Sequence, residues 1–232
     1  MPRHVLHIPD LSHVSDRLTI DGDEASHALR VKRIRDGEIV LAMDGAGHVA
    51  TCRVAAAGRS LEIDIESVER FDPVQPQINV WSAAPKGPRL GELIDNLSQA
   101  GAAGWTPLRT ERANVDPTAA KRKRINRIVM ESMKQCRRPW ALETHPPQSF
   151  EDAMQSEAGE TIVLADASGE PYEPTGAERI RLLIGPEGGW SESERNAAAL
   201  AGVQSHRFGP HIMRIEFAAA AACAVMLDRE RA

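Results

Sequence analysis

The spacing of hydrophobic positions changes part-way along the chain. Up to residue 70 it alternates. In residues 60–68, Leu61, Ile63 and Ile65 fall on one side and Glu62, Asp64 and Glu66 on the other, the period-two pattern of a half-buried strand. Strands are also predicted over residues 38–44 and 48–55, joined by Asp44-Gly45-Ala46-Gly47 as a hairpin turn. A short helix is predicted over residues 23–31. The segment Phe71-Asp72-Pro73-Val74-Gln75-Pro76-Gln77 interrupts both periods and reads as a linker. Domains are therefore expected at residues 1–72 and 73–232.

Beyond the linker, strands alternate with helices. Residues 78–84 are apolar, and Leu90, Leu93, Ile94 and Leu97 then follow i, i+3, i+4, i+7 spacing. A strand is predicted over residues 106–110. Asp116-Pro117 then opens a helix, with proline at its first position. Ile125, Ile128, Val129, Met133 and Cys136 form that helix's buried stripe. Strands over residues 161–165, 181–184 and 205–208 and an alanine-rich helix over 216–231 complete an α/β domain.

The last strands lead into two unusual loops. Arg181-Leu182-Leu183-Ile184 stops at Gly185-Pro186-Glu187-Gly188-Gly189-Trp190, and Ser191 and Glu194 follow with capping-box spacing. A strand, a glycine loop and a helix start in this order build nucleotide pockets in open α/β sheets, because backbone N–H groups can approach a ligand. The loop is not G-x-G-x-x-G, and no Gly-Lys-Ser/Thr follows, so a dinucleotide or nucleoside-triphosphate site is not indicated. A second loop runs Phe208-Gly209-Pro210-His211-Ile212-Met213-Arg214-Ile215-Glu216-Phe217.

Composition narrows the setting. A chain of 232 residues allows two domains with real cores. No apolar run is long enough for a bilayer, and the start lacks a signal-peptide pattern, so a cytoplasmic protein is expected. Cys52, Cys136 and Cys223 are widely spaced without a C-x-x-C pair, which suggests neither a disulfide framework nor a zinc site; no metal is expected. The net charge of −5 argues against indiscriminate coating of nucleic acid, so any RNA contact must come from local basic patches.

Ile184-Gly185-Pro186-Glu187-Gly188-Gly189 and Gly209-Pro210-x-Ile212-x-Arg214-x-Glu216, in this order, closely resemble the RsmE family of the SPOUT superfamily. The resemblance extends to His27-Ala28-Leu29-Arg30-Val31, to Asp44-Gly45-x-Gly47, to Lys86 and to Glu111-Arg112. It implies an N-terminal PUA-like β-barrel that binds RNA, then a SPOUT α/β domain with a C-terminal trefoil knot. It also implies S-adenosylmethionine-dependent methylation of N3 of a uridine in 16S ribosomal RNA, and a homodimer.

The resemblance places the cofactor against Leu164-Ala165-Asp166, Ile184-Gly185-Pro186-Glu187-Gly188, Phe208-Gly209-Pro210, Ile212-Met213-Arg214 and Ala218, with Phe208, Ile212 and Met213 as an adenine slot. Uracil N3 carries a proton that must leave, so the reaction needs a base or a group that stabilises the uracilate. Arginine stays protonated and suits the second role. Arg214 is the candidate stabiliser, with Arg112 nearby, and Glu216 either accepts the proton or orients Arg214. An Arg214–Glu216 ion pair that merely steadies the helix start is the competing reading. Arg30, Lys32 and Arg33 in the first domain, and Lys86, Arg122, Arg124, Arg138 and Lys134 beyond it, are candidate phosphate contacts.

Three segments depart from the family pattern. Arg214-Ile215-Glu216-Phe217-Ala218 stands where R-T-E-T-A is usual, Gln99-Ala100-Gly101 where E-L-G is usual, and Lys134-Gln135-Cys136-Arg137-Arg138 where E-Q-C/S-G-R is usual. The first two motivate one alternative, a non-catalytic RNA-binding or ribosome-assembly protein that retains the fold; the third adds positive charge, which suits RNA. Within the same class the alternative is a SPOUT methyltransferase with another RNA target.

Overall fold

The computed structural model describes residues 2–13, 16–115 and 122–232. They form two compact units, Met1–Pro73 with Met130–Ala141 and Val74–Val129 with Leu142–Ala232. The predicted Asp116-Pro117 helix start lies outside the described residues.

In the first unit, β1 (Val5–His7), β2 (Arg17–Ile20), β3 (Ile39–Met43), β4 (His48–Ala57) and β5 (Leu61–Arg70) form one sheet in the order β1-β3-β4-β5-β2. Only β1 and β3 pair in parallel; the other pairs are antiparallel. The alternation in β5 does what it predicts. Leu61 and Ile63 are fully buried and pair with Ile20 and Leu18 of β2. They share a core with Leu6, Val40, Val54 and with Ala25 and Ala28 of α1 (Gly22–Arg30). The β3–β4 turn is tied by Asp44, whose Oδ1 accepts from the Ala46 and His48 amides at 2.7 and 3.0 Å. Gly47 is obligatory there: its φ is 100°, and a Cβ would lie 2.7 Å from the Trp140 ring.

Segment 130–141 supplies the unit with a second cluster, in which Met133 packs on Val5 and Met43. It also corrects one sequence expectation. Lys134, read as part of a basic surface, is buried, and its ammonium lies 3.0 Å from Glu24 and 3.1 Å from Glu131. A charge so held would be costly to leave unpaired, so it serves the fold rather than phosphate.

In the second unit, β6 (Gln77–Ser82), β7 (Gly104–Arg109), β8 (Glu143–Thr144), β10 (Glu160–Pro171), β11 (Arg179–Ile184) and β12 (Gln204–Arg207) make a parallel sheet ordered β12-β10-β11-β6-β7-β8, with β9 (Gln148–Ser149) paired to β7. Both faces of such a sheet are covered at its centre, so the central strand β11 is almost wholly apolar, whereas the edge strands β8 and β12 are polar. Ile180 through Ile184 are all buried. Arg181 tolerates this because its guanidinium pairs with Glu160 at 2.6 Å, donates to the Ala153 and Gln155 carbonyls at 2.9 Å, and lies 4.3 Å from the Trp81 ring centroid.

The helices are α2 (Arg89–Ala100), α3 (Arg122–Cys136), α4 (Phe150–Ala153), α5 (Glu192–Leu200) and α6 (Ile215–Glu230). Leu93, Ile94 and Leu97 of α2 are fully buried, as their spacing predicts. The α5 capping box is also present: Ser191 Oγ accepts from the Glu194 amide at 3.1 Å and Glu194 Oε2 from the Ser191 amide at 2.8 Å.

Candidate active site

β10, β11 and β12 are parallel, with β10 between the other two, so the irregular middle of β10 after Ala165 and the loops leaving the C-terminal ends of β11 and β12 gather at one end of the sheet. The C-terminal end of the strands is where open α/β sheets hold ligands. Here the loops enclose a cavity of about 340 Å³, within the range of small-molecule sites.

Trp190 organises the floor. It is buried at 2% exposure, and its Nε1 donates to the Ala165 carbonyl at 2.9 Å, which ties the middle of β10 to the β11–α5 loop. Gly185 lies directly on the indole, where a Cβ would be 3.0 Å from the ring. Gly188 is crowded by Arg112, whose Cβ would lie 3.3 Å from a Cβ there. The glycines thus allow this loop to fold against its own chain. The sequence predicts instead that they make room for a ligand.

Arg112 lines the cavity, but its guanidinium donates to the Gly188 and Trp190 carbonyls at 3.0 and 3.1 Å. The Glu111 amide donates to Glu194 at 3.0 Å beside it. Arg112 is therefore a clamp on the glycine loop as well as part of the wall. Asp166 accepts from Ser168 N and Oγ at 2.9 and 2.7 Å, which fixes the turn after Ala165.

Of the residues expected to hold a cofactor, Ala165, Asp166, Ile184, Gly185, Pro186, Glu187, Gly188, Phe208, Gly209, Ile212, Met213 and Ala218 line the cavity. Leu164, Pro210 and Arg214 do not. Leu164 is fully buried in the core with Leu108, Leu183 and Trp190, one residue before β10 reaches the cavity at Ala165. Sequence reasoning missed Trp190, Arg195 and His206. Their adjacency to the two loops was the available signal.

Arg214 is the N-cap residue of α6 and is exposed; its carbonyl accepts from the Phe217 and Ala218 amides at 3.0 and 2.7 Å, and its guanidinium makes no hydrogen bond or ion pair among the described residues. Glu216, one position into the helix, is 7% exposed, and its Oε2 is sealed from solvent with no protein donor among the described residues. The expected alternative of an Arg214–Glu216 ion pair is not formed. A carboxylate oxygen left so is costly, and such atoms concentrate at functional sites. The helix N-terminus offsets part of that cost.

The basic candidates are spread over both units. Arg30 and Arg33 are exposed and, with Arg3, Arg35 and Lys32, border one groove. Lys32 is tied down: its ammonium donates to the Val5 carbonyl, and burial, then the Lys134 ammonium, pull it below the usual lysine range. Lys86, Arg122 and Arg124 are exposed and Arg138 is half-buried.

An RNA methyltransferase domain model matches residues 73–227, and an RNA methyltransferase PUA domain model matches residues 20–66. The ribosomal RNA small subunit methyltransferase E of Mycobacterium bovis is 31% identical over 93% of this chain and 86% of its own. The chain belongs to the RsmE family. The Synechocystis RsmE is 28% identical over 85% of this chain and 68% of its own. The Neisseria gonorrhoeae RsmE, solved with S-adenosyl methionine bound, superposes with a TM-score of 0.85 over 97% of both chains at 24% identity. The fold is accordingly PUA-like at the N-terminus and SPOUT α/β beyond it. The clustering of β10, β11 and β12 at one end of the sheet is consistent with the RsmE trefoil knot. Among the described residues no helix is long and apolar enough to cross a membrane.

The RsmE departures fall away from the cavity. Ile215 is buried at 2% exposure and anchors the start of α6, Phe217 is 61% exposed, and neither lines the cavity. Gln99 is exposed on the last turn of α2, also outside it.

Proposed function

We propose that this RsmE-family chain is a cytoplasmic enzyme that methylates N3 of a uridine in 16S ribosomal RNA of the small subunit, with S-adenosylmethionine as methyl donor. Residues 1–72 act as the RNA-binding domain and residues 73–232 as the methyltransferase domain. The observation that carries the reading is the cavity where β10, β11 and β12 come together, walled by the two loops that mark the family.

The residues present fit the cofactor. Ile184, Phe208, Met213 and Ala218 offer an apolar wall for adenine, the glycine loop offers backbone groups, and Asp166 and Glu187 offer carboxylates for a cationic tail. When bound, S-adenosylmethionine supplies a methyl group on a positive sulfonium and leaves as the neutral thioether. The chain's own residues prepare the uracil. Arg214 offers a guanidinium with no partner among the described residues, which suits it to stabilise negative charge on the ring as the N3 proton leaves. Glu216 receives that proton or holds Arg214 in place; one of its carboxylate oxygens has no donor among the described residues. Arg112 keeps the glycine loop closed. No metal is called for.

The changed threonine positions weaken the rival of a non-catalytic assembly factor, because neither lines the cavity. Titration of the purified protein with S-adenosylmethionine decides between them: the enzyme gives a saturable binding heat, and an assembly factor that has lost the cofactor gives none.

RNA is held by basic patches on both domains. Changing Arg30 and Arg33, or Arg122 and Arg124, to alanine is expected to weaken binding of small subunits. Each lost phosphate contact should flatten the salt dependence by about one unit of slope. Wild-type affinity and slope in both double variants, measured across salt concentrations, would show these residues to be solvated surface only.

The protein is further proposed to be a symmetric homodimer. Ile212, and Phe217 and Val225 on α6, are large apolar side chains left exposed in the second unit. Sedimentation equilibrium at twice the chain mass checks this; a monomer mass contradicts it.

A further inference from the structure

Phe208 forms part of the cavity wall, and residues outside every recognised motif hold it in place. We infer that Tyr172 and Glu230 are positioning residues for this wall: the Glu230 carboxylate fixes Tyr172, and the Tyr172 ring fixes Phe208. The inference rests on the reading of the cavity as an S-adenosylmethionine site.

Tyr172 is the chain's single tyrosine. It follows β10 directly and is 3% exposed. Its ring stacks on Phe208, with centroids 5.4 Å apart and planes at 29°, and meets His206 edge-on, also at 5.4 Å. Phe208 and His206 both line the cavity, whereas Tyr172 lies behind them. The Tyr172 hydroxyl donates to Glu230 Oε1. The same oxygen accepts from Thr175 N at 2.7 Å and Thr175 Oγ1 at 2.9 Å, and Oε2 accepts from Gly176 N at 2.9 Å.

Four donors therefore converge on one carboxylate at the last residue of α6, which approaches its acceptor capacity. Burial opposes ionisation of Glu230, yet these donors hold its carboxyl below the usual glutamate range. Burial and the Glu230 hydrogen bond push the Tyr172 hydroxyl well above the usual tyrosine range, so it remains a donor. The link joins elements far apart in sequence to one wall of the cavity.

The physical effect is preorganisation. A phenylalanine beside a cavity can turn about its side-chain torsions, and a ligand that needs one orientation must pay for ordering it. The Tyr172 stack removes that freedom beforehand. An effect of this kind falls on cofactor binding and not on the chemical step. A clasp that only stabilised the end of α6 would lower the melting temperature and leave cofactor affinity unchanged in the folded protein.

The test measures the Kd and KM for S-adenosylmethionine, together with kcat and thermal stability, in four variants of the full chain. Tyr172→Leu removes the stack and is expected to raise Kd and KM about tenfold. Tyr172→Phe removes the donor and Glu230→Gln leaves a weaker, uncharged acceptor; each keeps the ring and loosens the link, and each is expected to raise Kd and KM about threefold. The Tyr172→Phe/Glu230→Gln double variant should be no worse than Tyr172→Phe alone, because both changes act on the same link. kcat at saturating cofactor should hold throughout. If Tyr172→Leu does not fold, the Tyr172→Phe and Glu230→Gln pair still decides the matter. Wild-type Kd in the folded variants, or a loss confined to kcat, overturns the inference. Failure of the unaltered protein to bind the cofactor overturns the reading of the cavity instead.

Discussion

Replacing Arg214 by alanine is expected to lower the single-turnover rate of methyl transfer to small subunits by about a hundredfold or more, the usual cost of one preorganised electrostatic group. Arg214 stands at the N-cap of α6, is exposed, and its charge is committed to no partner among the described residues. It does not line the cofactor cavity, so affinity for S-adenosylmethionine should change much less than the rate. An interaction made mainly in the transition state shows in turnover rather than in binding. Glu216→Gln separates the two roles open to that carboxylate. If Glu216 accepts the N3 proton, the variant fails at every accessible pH. If it only orients Arg214, substantial activity remains, and raising the pH speeds a reaction limited by N3 deprotonation. A wild-type rate in Arg214→Ala would remove Arg214 from the mechanism. Lost cofactor binding in that variant would move Arg214 to the cofactor site and pass the stabilising role to Arg112.

Gly185→Val should reduce S-adenosylmethionine affinity by about a hundredfold, equivalent to roughly 3 kcal/mol, near the upper end of what overpacking costs. The added Cβ would lie 3.0 to 3.3 Å from three atoms of the Trp190 ring, before the two methyl groups are counted. Trp190 has little room to yield. It is buried, bonded to the Ala165 carbonyl and packed on Phe150 with ring centroids 5.4 Å apart. Whichever part moves, Ala165, Gly185 or Trp190, belongs to the cavity wall. Gly58→Val is the control, because nothing lies within 4 Å of a Cβ there and its domain does not form the cavity. Calorimetry giving equal affinities for Gly185→Val and the unaltered chain would mean that this loop does not shape the cofactor site.

Long periodic segments were legible from the sequence, and short or paired features were not. Leu61, Ile63 and Ile65 announce β5, and Leu93, Ile94 and Leu97 announce α2, because each run spans enough residues to show its period. β1 and β2, of three and four residues, are too short for any period to appear, and pairing with β3 and β5 alone makes them strands. The loop motifs located the cavity because glycines and prolines mark backbone geometry. They could not reveal why Gly185 and Gly188 are needed, since Trp190 and Arg112 are the neighbours that crowd them. Charge was the least legible property. Lys134 reads as one more cation on a basic helix, yet Glu24, 110 positions away, buries it in an ion pair. Glu216 reads as a proton acceptor, as the residue that orients Arg214 or as its ion-pair partner, and only packing shows that its Oε2 is sealed without a donor among the described residues.

The most direct test is nucleoside analysis of 16S ribosomal RNA methylated by the purified protein. Small subunits from cells lacking this activity are incubated with the protein and S-adenosylmethionine carrying an isotopically labelled methyl group. The RNA is then digested and resolved by mass spectrometry against synthetic methyluridine standards. The account predicts a single labelled product, N3-methyluridine, that is formed by the unaltered chain and strongly reduced with Arg214→Ala. Absence of label in the RNA, or label on another base or another position of uridine, would contradict it.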